Sequence, residues 1–187
     1  MITIPLLLLI FIVYTFFKSY NSIIKQRNQV ENALASTDVL LKKRYDLIPN
    51  LVSSVKQYMQ FEESTLSKIV SLRSSLMDKS GTEEARMKQD TELTSLLGKV
   101  MVSIENYPDL KSNSNMLHLQ QSLMEIEEQI SAARRSYNAS VMQYNNTIET
   151  VPSNIVANFM SAKRKTSFEI SSSERETVSV KELFNGN

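Results

Sequence analysis

The sequence predicts an all-α protein: a single N-terminal transmembrane helix, an antiparallel up-and-down four-helix bundle with long helices, and a C-terminal irregular tail. Three observations predict it. The first seventeen residues carry no charged side chain, and Lys18 follows at once. Only 3 Gly and 4 Pro interrupt 187 residues, so long polar-apolar periodic stretches run unbroken. Met116, Leu123, Ile130, Tyr137, Tyr144 and Val151 recur every seven residues, the period of a helix-packing seam. The implied boundaries are 1–17 for the anchor (whose helix is free to continue), 18–152 for the bundle and 153–187 for a partly ordered tail.

The anchor rests on Leu6, Leu7, Leu8, Leu9, Ile10, Phe11, Ile12, Val13, Phe16 and Phe17. At about 1.5 Å per residue this run is slightly short of a bilayer core of about 30 Å. Lys18 can carry its ammonium out to the headgroups, and Tyr20, Ile23 and Ile24 extend the apolar face. Pro5 falls in the first turn, where a missing N–H costs nothing. No Lys or Arg precedes the run, and Lys18-Ser19-Tyr20-Asn21 does not read as a cleavage site, so the segment is expected to stay uncleaved. Lys18, Lys25 and Arg27 flank it on the C-terminal side. The positive-inside rule then predicts a single-pass protein of the bacterial inner membrane, N-terminus outside and the bulk of the chain cytoplasmic.

Helical spacing continues from about residue 18 to 79. Pro49 falls inside it and clashes with the carbonyl four residues back, that of Tyr45. A kink and a turn both accommodate this. The turn is preferred, at Tyr45-Asp46 with Asp46 capping a new helix, because it yields segments of similar length. Lys79-Ser80-Gly81-Thr82 marks a stop and a restart, with Gly81 as C-cap. The next helix carries Leu93, Leu96, Leu97, Val100 and Ile104 and ends before Tyr107-Pro108. In the fourth segment Leu119, Ile126, Ala133, Ser140 and Thr147 form a second row, with Val141 and Ile148 beside it, and Pro152 closes the helix. Beyond it, Phe159, Phe168, Ile170, Val178, Val180, Leu183 and Phe184 are thinly spread, as in a partly packed and mostly mobile tail.

Charge gives no partner. Lys plus Arg is 21 and Asp plus Glu is 20, which argues against nucleic acid. His118 is the only histidine and there is no cysteine, so zinc lacks a ligand set. Glu125, Glu127 and Glu128 read as a solvated face, and Asn138-Ala-Ser and Asn145-Asn-Thr as chance matches to glycosylation acceptors. No phosphate loop or nucleophile elbow occurs. No cofactor and no enzyme activity are expected. Lys42-Lys43-Arg44 lies about 35 Å along a helix from the anchor, several Debye lengths away, and reads as ordinary solubility. Lys163-Arg164-Lys165 leaves lipid contact open, since its chain can fold back.

Tyr-Asn dipeptides stand at 20–21, 137–138 and 144–145. Tyr137 and Tyr144 on the seam predict a buried polar layer, with Arg27, Arg44, Arg134 and Asp38 as hydroxyl partners, or else a peptide-binding groove.

Several strings resemble the LemA family of membrane-anchored bacterial helical proteins. They are Arg27-Asn28-Gln29-Val30, Asp38 to Val52 with Arg44-Tyr45-Asp46-Leu47-Ile48-Pro49 at its centre, Glu105-Asn106-Tyr107-Pro108-Asp109-Leu110-Lys111, and Ile130 to Asn138. The likeness runs from about residue 5 to 160. It implies a membrane span, a four-helix bundle and no established activity. It also implies partners among other membrane proteins, including a membrane zinc metalloprotease. The expected role is a non-enzymatic scaffold that tethers a cytoplasmic bundle to the lipid bilayer. An accessory protease subunit or a self-assembling scaffold, a homo-oligomer, is the alternative.

Overall fold

The computed structural model describes residues 3–78 and 81–168, most of which are helical, with no strand among them. Six helices follow in order: α1 Thr3–Tyr58, α2 Glu63–Met77, α3 Glu83–Ile104, α4 Pro108–Lys111, α5 Ser114–Glu149 and α6 Ser153–Phe159.

Helix α1 is one element of 56 residues and carries both the apolar run and the first half of the packed domain. It is the one described helix long and apolar enough to cross a membrane, and none of its apolar window is buried. A core helix of a soluble domain would be mostly buried.

The turn expected at Tyr45-Asp46 does not exist. The helix passes through Pro49 and ends at Tyr58. Pro49 deprives the Tyr45 carbonyl of its usual donor. Arg73, on α2, supplies the replacement: its Nε donates to that carbonyl at 2.7 Å. A helix keeps a proline when a neighbour satisfies the freed group. The reversal instead occupies residues 59–62, which hold neither Gly nor Pro. Tyr107 closes it by donating its hydroxyl to the Gln60 carbonyl at 3.4 Å.

The other boundaries follow their local chemistry. Gly81 has φ +96°, a left-handed conformation that disfavours any side chain. Thr82 caps α3 by accepting from the Ala85 amide at 3.2 Å. Pro108 opens α4, and Asn113 caps α5 by accepting from the Asn115 and Met116 amides.

Two cores fill the molecule. The distal one joins Leu41–Val55 of α1, the apolar faces of α2 and α3, Leu110 of α4, and Met116–Ile130 of α5. The proximal one joins Ile23 and Val30 of α1 to Tyr137, Val141, Tyr144 and Ile148 of α5 and to Val156 and Ala157 of α6. Early α1 thus meets late α5 and late α1 meets early α5, so the two long helices run antiparallel. The seven-residue row is buried from Met116 to Tyr144. Val151 breaks it and is exposed, because α5 ends at Glu149.

Packing continues past residue 152. Helix α6 lies on both long helices, and after it Ser161 (φ 51°) turns the chain back along α5. Residues 162–168 then run without helix against the proximal core, with Phe168 packed on it. Ile170, Val178, Val180, Leu183 and Phe184 lie outside the described residues.

Candidate functional site: a buried charge layer and an asparagine clamp

The distal and proximal cores meet at a layer of buried charge. Arg44 of α1 is 0% exposed, and Asp90 of α3 is 2% exposed. The Asp90 carboxylate accepts from one Arg44 amino group and from the Tyr45 hydroxyl (2.8 Å) on one oxygen, and from Arg134 of α5 on the other. The second Arg44 amino group donates to Glu127 of α5 at 2.8 Å and to the Thr94 hydroxyl at 2.8 Å. Two guanidiniums and two carboxylates balance, and three helices are tied at one level.

Burial and ion pairing compete at Arg44. Desolvation alone would lower its pKa, but Asp90 and then Glu127 outweigh it, and the net shift is upward. At Tyr45, burial and then the Asp90 carboxylate both disfavour the phenolate, so its pKa rises well above the ordinary value. Arg44 also lies 5.6 Å from the Tyr45 ring centre. Both shifts act the same way, holding the proton on the Arg44 guanidinium and on the Tyr45 hydroxyl. It has no free nucleophile or base. Among the described residues no three His, Cys, Asp or Glu side chains converge as a metal site would require.

The second constellation lies on the proximal half of α5. The Asn138 side chain donates to the Phe168 carbonyl at 3.1 Å and accepts from the Phe168 amide at 2.8 Å. Asn145 does the same to Lys165, at 2.9 Å in both directions. Each side-chain amide thus pairs with one backbone residue as a neighbouring strand would. Seven residues of helix span about 10 Å, as do three residues of extended chain, so the two clamps match in pitch. Tyr137 donates to the Thr166 carbonyl at 3.0 Å and packs edge-on to Phe168, with ring centres 5.0 Å apart. Arg134 sits 5.5 Å from the same Phe168 ring. One residue therefore touches both constellations.

The structure redistributes the residues singled out from sequence. Arg44, Tyr45 and Arg134 come together around Asp90. Arg27 does not join them: it pairs with Glu31 one turn on, at the surface. Asp38 faces Arg86 at 3.5 Å beside the layer. Tyr137 donates its hydroxyl to backbone of the returning segment. Tyr144 is buried in the proximal core. Pro49, Tyr107 and Pro108 shape backbone, as described above. Of the basic triplet at 42–44, Lys42 and Lys43 are exposed while Arg44 is the most enclosed side chain of the layer. Glu127, grouped with a solvated face, is half-buried on Arg44. His118, Glu125 and Glu128 are exposed.

Asp90 was missed, though a signal for it exists. Leu93, Leu97, Val100 and Ile104 are buried at alternating spacings of four, three and four, and stepping three back from Leu93 reaches Asp90. A carboxylate on a core register calls for buried cations.

Protein LemA of Metamycoplasma hominis is 28% identical over 165 residues, covering 88% of this chain and 75% of that protein. Magnetosome protein MamQ of Magnetospirillum gryphiswaldense is 23% identical over 189 residues, covering 88% of this chain and 70% of the relative. A MamQ of Paramagnetospirillum magneticum is likewise 23% identical, over 194 residues. The LemA family profile matches residues 33–181, which takes in the charge layer, the clamp and the returning segment. The chain belongs to the LemA family.

Proposed function

We propose that this protein is a non-enzymatic, membrane-anchored helical scaffold. The apolar start of α1 crosses the bilayer. The packed domain lies on the cytoplasmic side, where Lys18, Lys25 and Arg27 favour it. There α1, α2, α3 and α5 act as an up-and-down four-helix bundle that presents surfaces to other membrane proteins or to further copies of itself. The observation that carries this reading is the continuity of α1. A fully exposed apolar segment passes without a break into a helix whose later half is core. Tethering confines such a domain to two dimensions and raises its effective concentration for membrane partners.

The test has three parts. The full chain should stay in the pellet when membranes are washed at alkaline pH; release into the supernatant would sink the anchor. A reporter active only in the cytoplasm, fused after Asn187, should be active; degradation of the domain by protease added outside would reverse the orientation. Crosslinking in native membranes, followed by capture in mild detergent and mass spectrometry, should return membrane proteins or multimers of the chain. A single dominant protease partner would favour an accessory-subunit role instead.

A further inference from the structure

We infer that α6 is a second membrane contact, a short apolar foot that lies in the interface of the bilayer that α1 enters. The inference rests on the anchor reading of α1. Its own observations are at the opposite end of the domain's chain.

Helix α6 is apolar on two faces. Val156 and Ala157 are buried in the proximal core. Ile155 and Phe159 stand four residues apart on the other side and are 68% and 79% exposed, and Val151 in the preceding turn is 73% exposed. Large apolar side chains this open to water call for a cover.

Their position says what covers them. The Phe159 ring lies 6.2 Å from that of Phe16, edge to face. Phe16 belongs to the apolar run and stands two residues, about 3 Å of helix rise, before Lys18. With the Lys18 ammonium among headgroups, Phe16 occupies the outer edge of the hydrocarbon, and Phe159 shares that level. Aromatic rings favour this zone. Exposed Lys163 follows within one turn of chain, so the foot ends in a cation at headgroup height, while neighbouring Arg164 is paired with Glu149. An apolar row with a basic border is the composition of an interfacial segment. The foot also compensates a span that is short for a bilayer, by adding apolar contact at its inner edge.

The protein contains no Trp, so one introduced indole reports its own surroundings. Phe159→Trp in the full chain, reconstituted into phosphatidylcholine–phosphatidylglycerol vesicles, should emit blue-shifted light. It should be quenched by lipids brominated near the headgroup end of the acyl chain and shielded from aqueous acrylamide. Phe11→Trp, within the run of α1, is the companion probe. If neither indole meets brominated lipid, the anchor reading itself fails. If the indole at 11 is quenched by lipid while that at 159 stays in water, the foot is wrong and the anchor stands. If the indole at 159 is shielded only at high protein-to-lipid ratio and without lipid quenching, a second copy covers the face and the inference is overturned.

Discussion

Removing the Asp90 carboxylate should be among the most damaging single changes in the domain. Asp90→Ala leaves one Arg44 amino group and the Tyr45 hydroxyl buried without their acceptor, and deprives Arg134 of its partner. Arg44 keeps Glu127 and Thr94, so its charge is half compensated. Breaking a buried pair from one side costs about 3–5 kcal/mol, because the remaining charge stays out of water. A domain of this size is stable by about 5–15 kcal/mol in all. At about 2–4 °C per kcal/mol, the melting temperature should fall by about 6–20 °C. Circular dichroism of the full chain in mild detergent measures it. Asp90→Asn, which keeps the shape and an acceptor but not the charge, should fall between wild type and Asp90→Ala. Arg44→Met combined with Asp90→Leu should recover much of the loss, since Glu127 and Arg134 are then left to balance each other and the apolar pair packs without desolvation cost. A loss for Asp90→Ala no larger than a surface substitution gives, about 0.5 kcal/mol, would refute the layer as the tie between α1, α3 and α5.

Three further outcomes follow from particular contacts. Tyr45 has a raised pKa in the fold, so its contribution is present below the ordinary phenol value of 10.0 and is lost as pH climbs above it; Tyr45→Phe should cost about 1–3 kcal/mol at neutral pH and flatten the alkaline limb of the stability profile. Arg73→Ala should cost about 1–3 kcal/mol by orphaning the Tyr45 carbonyl, and less in a Pro49→Ala background, where residue 49 regains its own N–H; equal costs in the two backgrounds would show that the arginine does not replace the missing bond. Asn138→Ala with Asn145→Ala should release residues 162–168, read as faster amide exchange at Lys165 and Phe168 with α1 and α5 unchanged.

Much of the helical order was legible because its signals are local. Thr82, Tyr107-Pro108 and the row from Met116 to Tyr144 each speak through neighbouring residues and sit where the sequence predicts, whereas Gly81 is not the C-cap: α2 is capped at Asp78, and Gly81 instead precedes the Thr82 cap of α3. Pro49 misled for the opposite reason. Its penalty is local, but its remedy comes from Arg73, 28 residues away from Tyr45 along the chain. The true reversal at 59–62 carries no breaker, because Tyr107 closes it from another loop. The polar layer was half legible. The seam points to buried tyrosines, and Tyr45 joins the arginines through Asp90, a carboxylate on α3 that no local pattern near Tyr45 announces. In the Tyr-Asn repeats the tyrosines carry the seam signal, whereas the asparagines make the paired contacts to backbone. Segment 162–168 has no periodicity of its own and takes its course from α5.

The unbroken α1 changes what the domain can reach. A turn at Tyr45 would have ended the first helix about 40 Å beyond Lys18; ending at Tyr58 puts the tip about 60 Å out. That distance is many Debye lengths at physiological salt, so lipid charge has no influence at the reversal between α1 and α2 or at the loop around Tyr107. With α1 anchored as proposed, the proximal end would answer to different physics, since Phe16, Phe159 and Lys18 would lie within reach of headgroups. The Asp90 layer stands between the two and joins helices from both regimes. A partner held near the bilayer would therefore meet α6 and the returning segment. A partner at the tip must itself project far from the membrane.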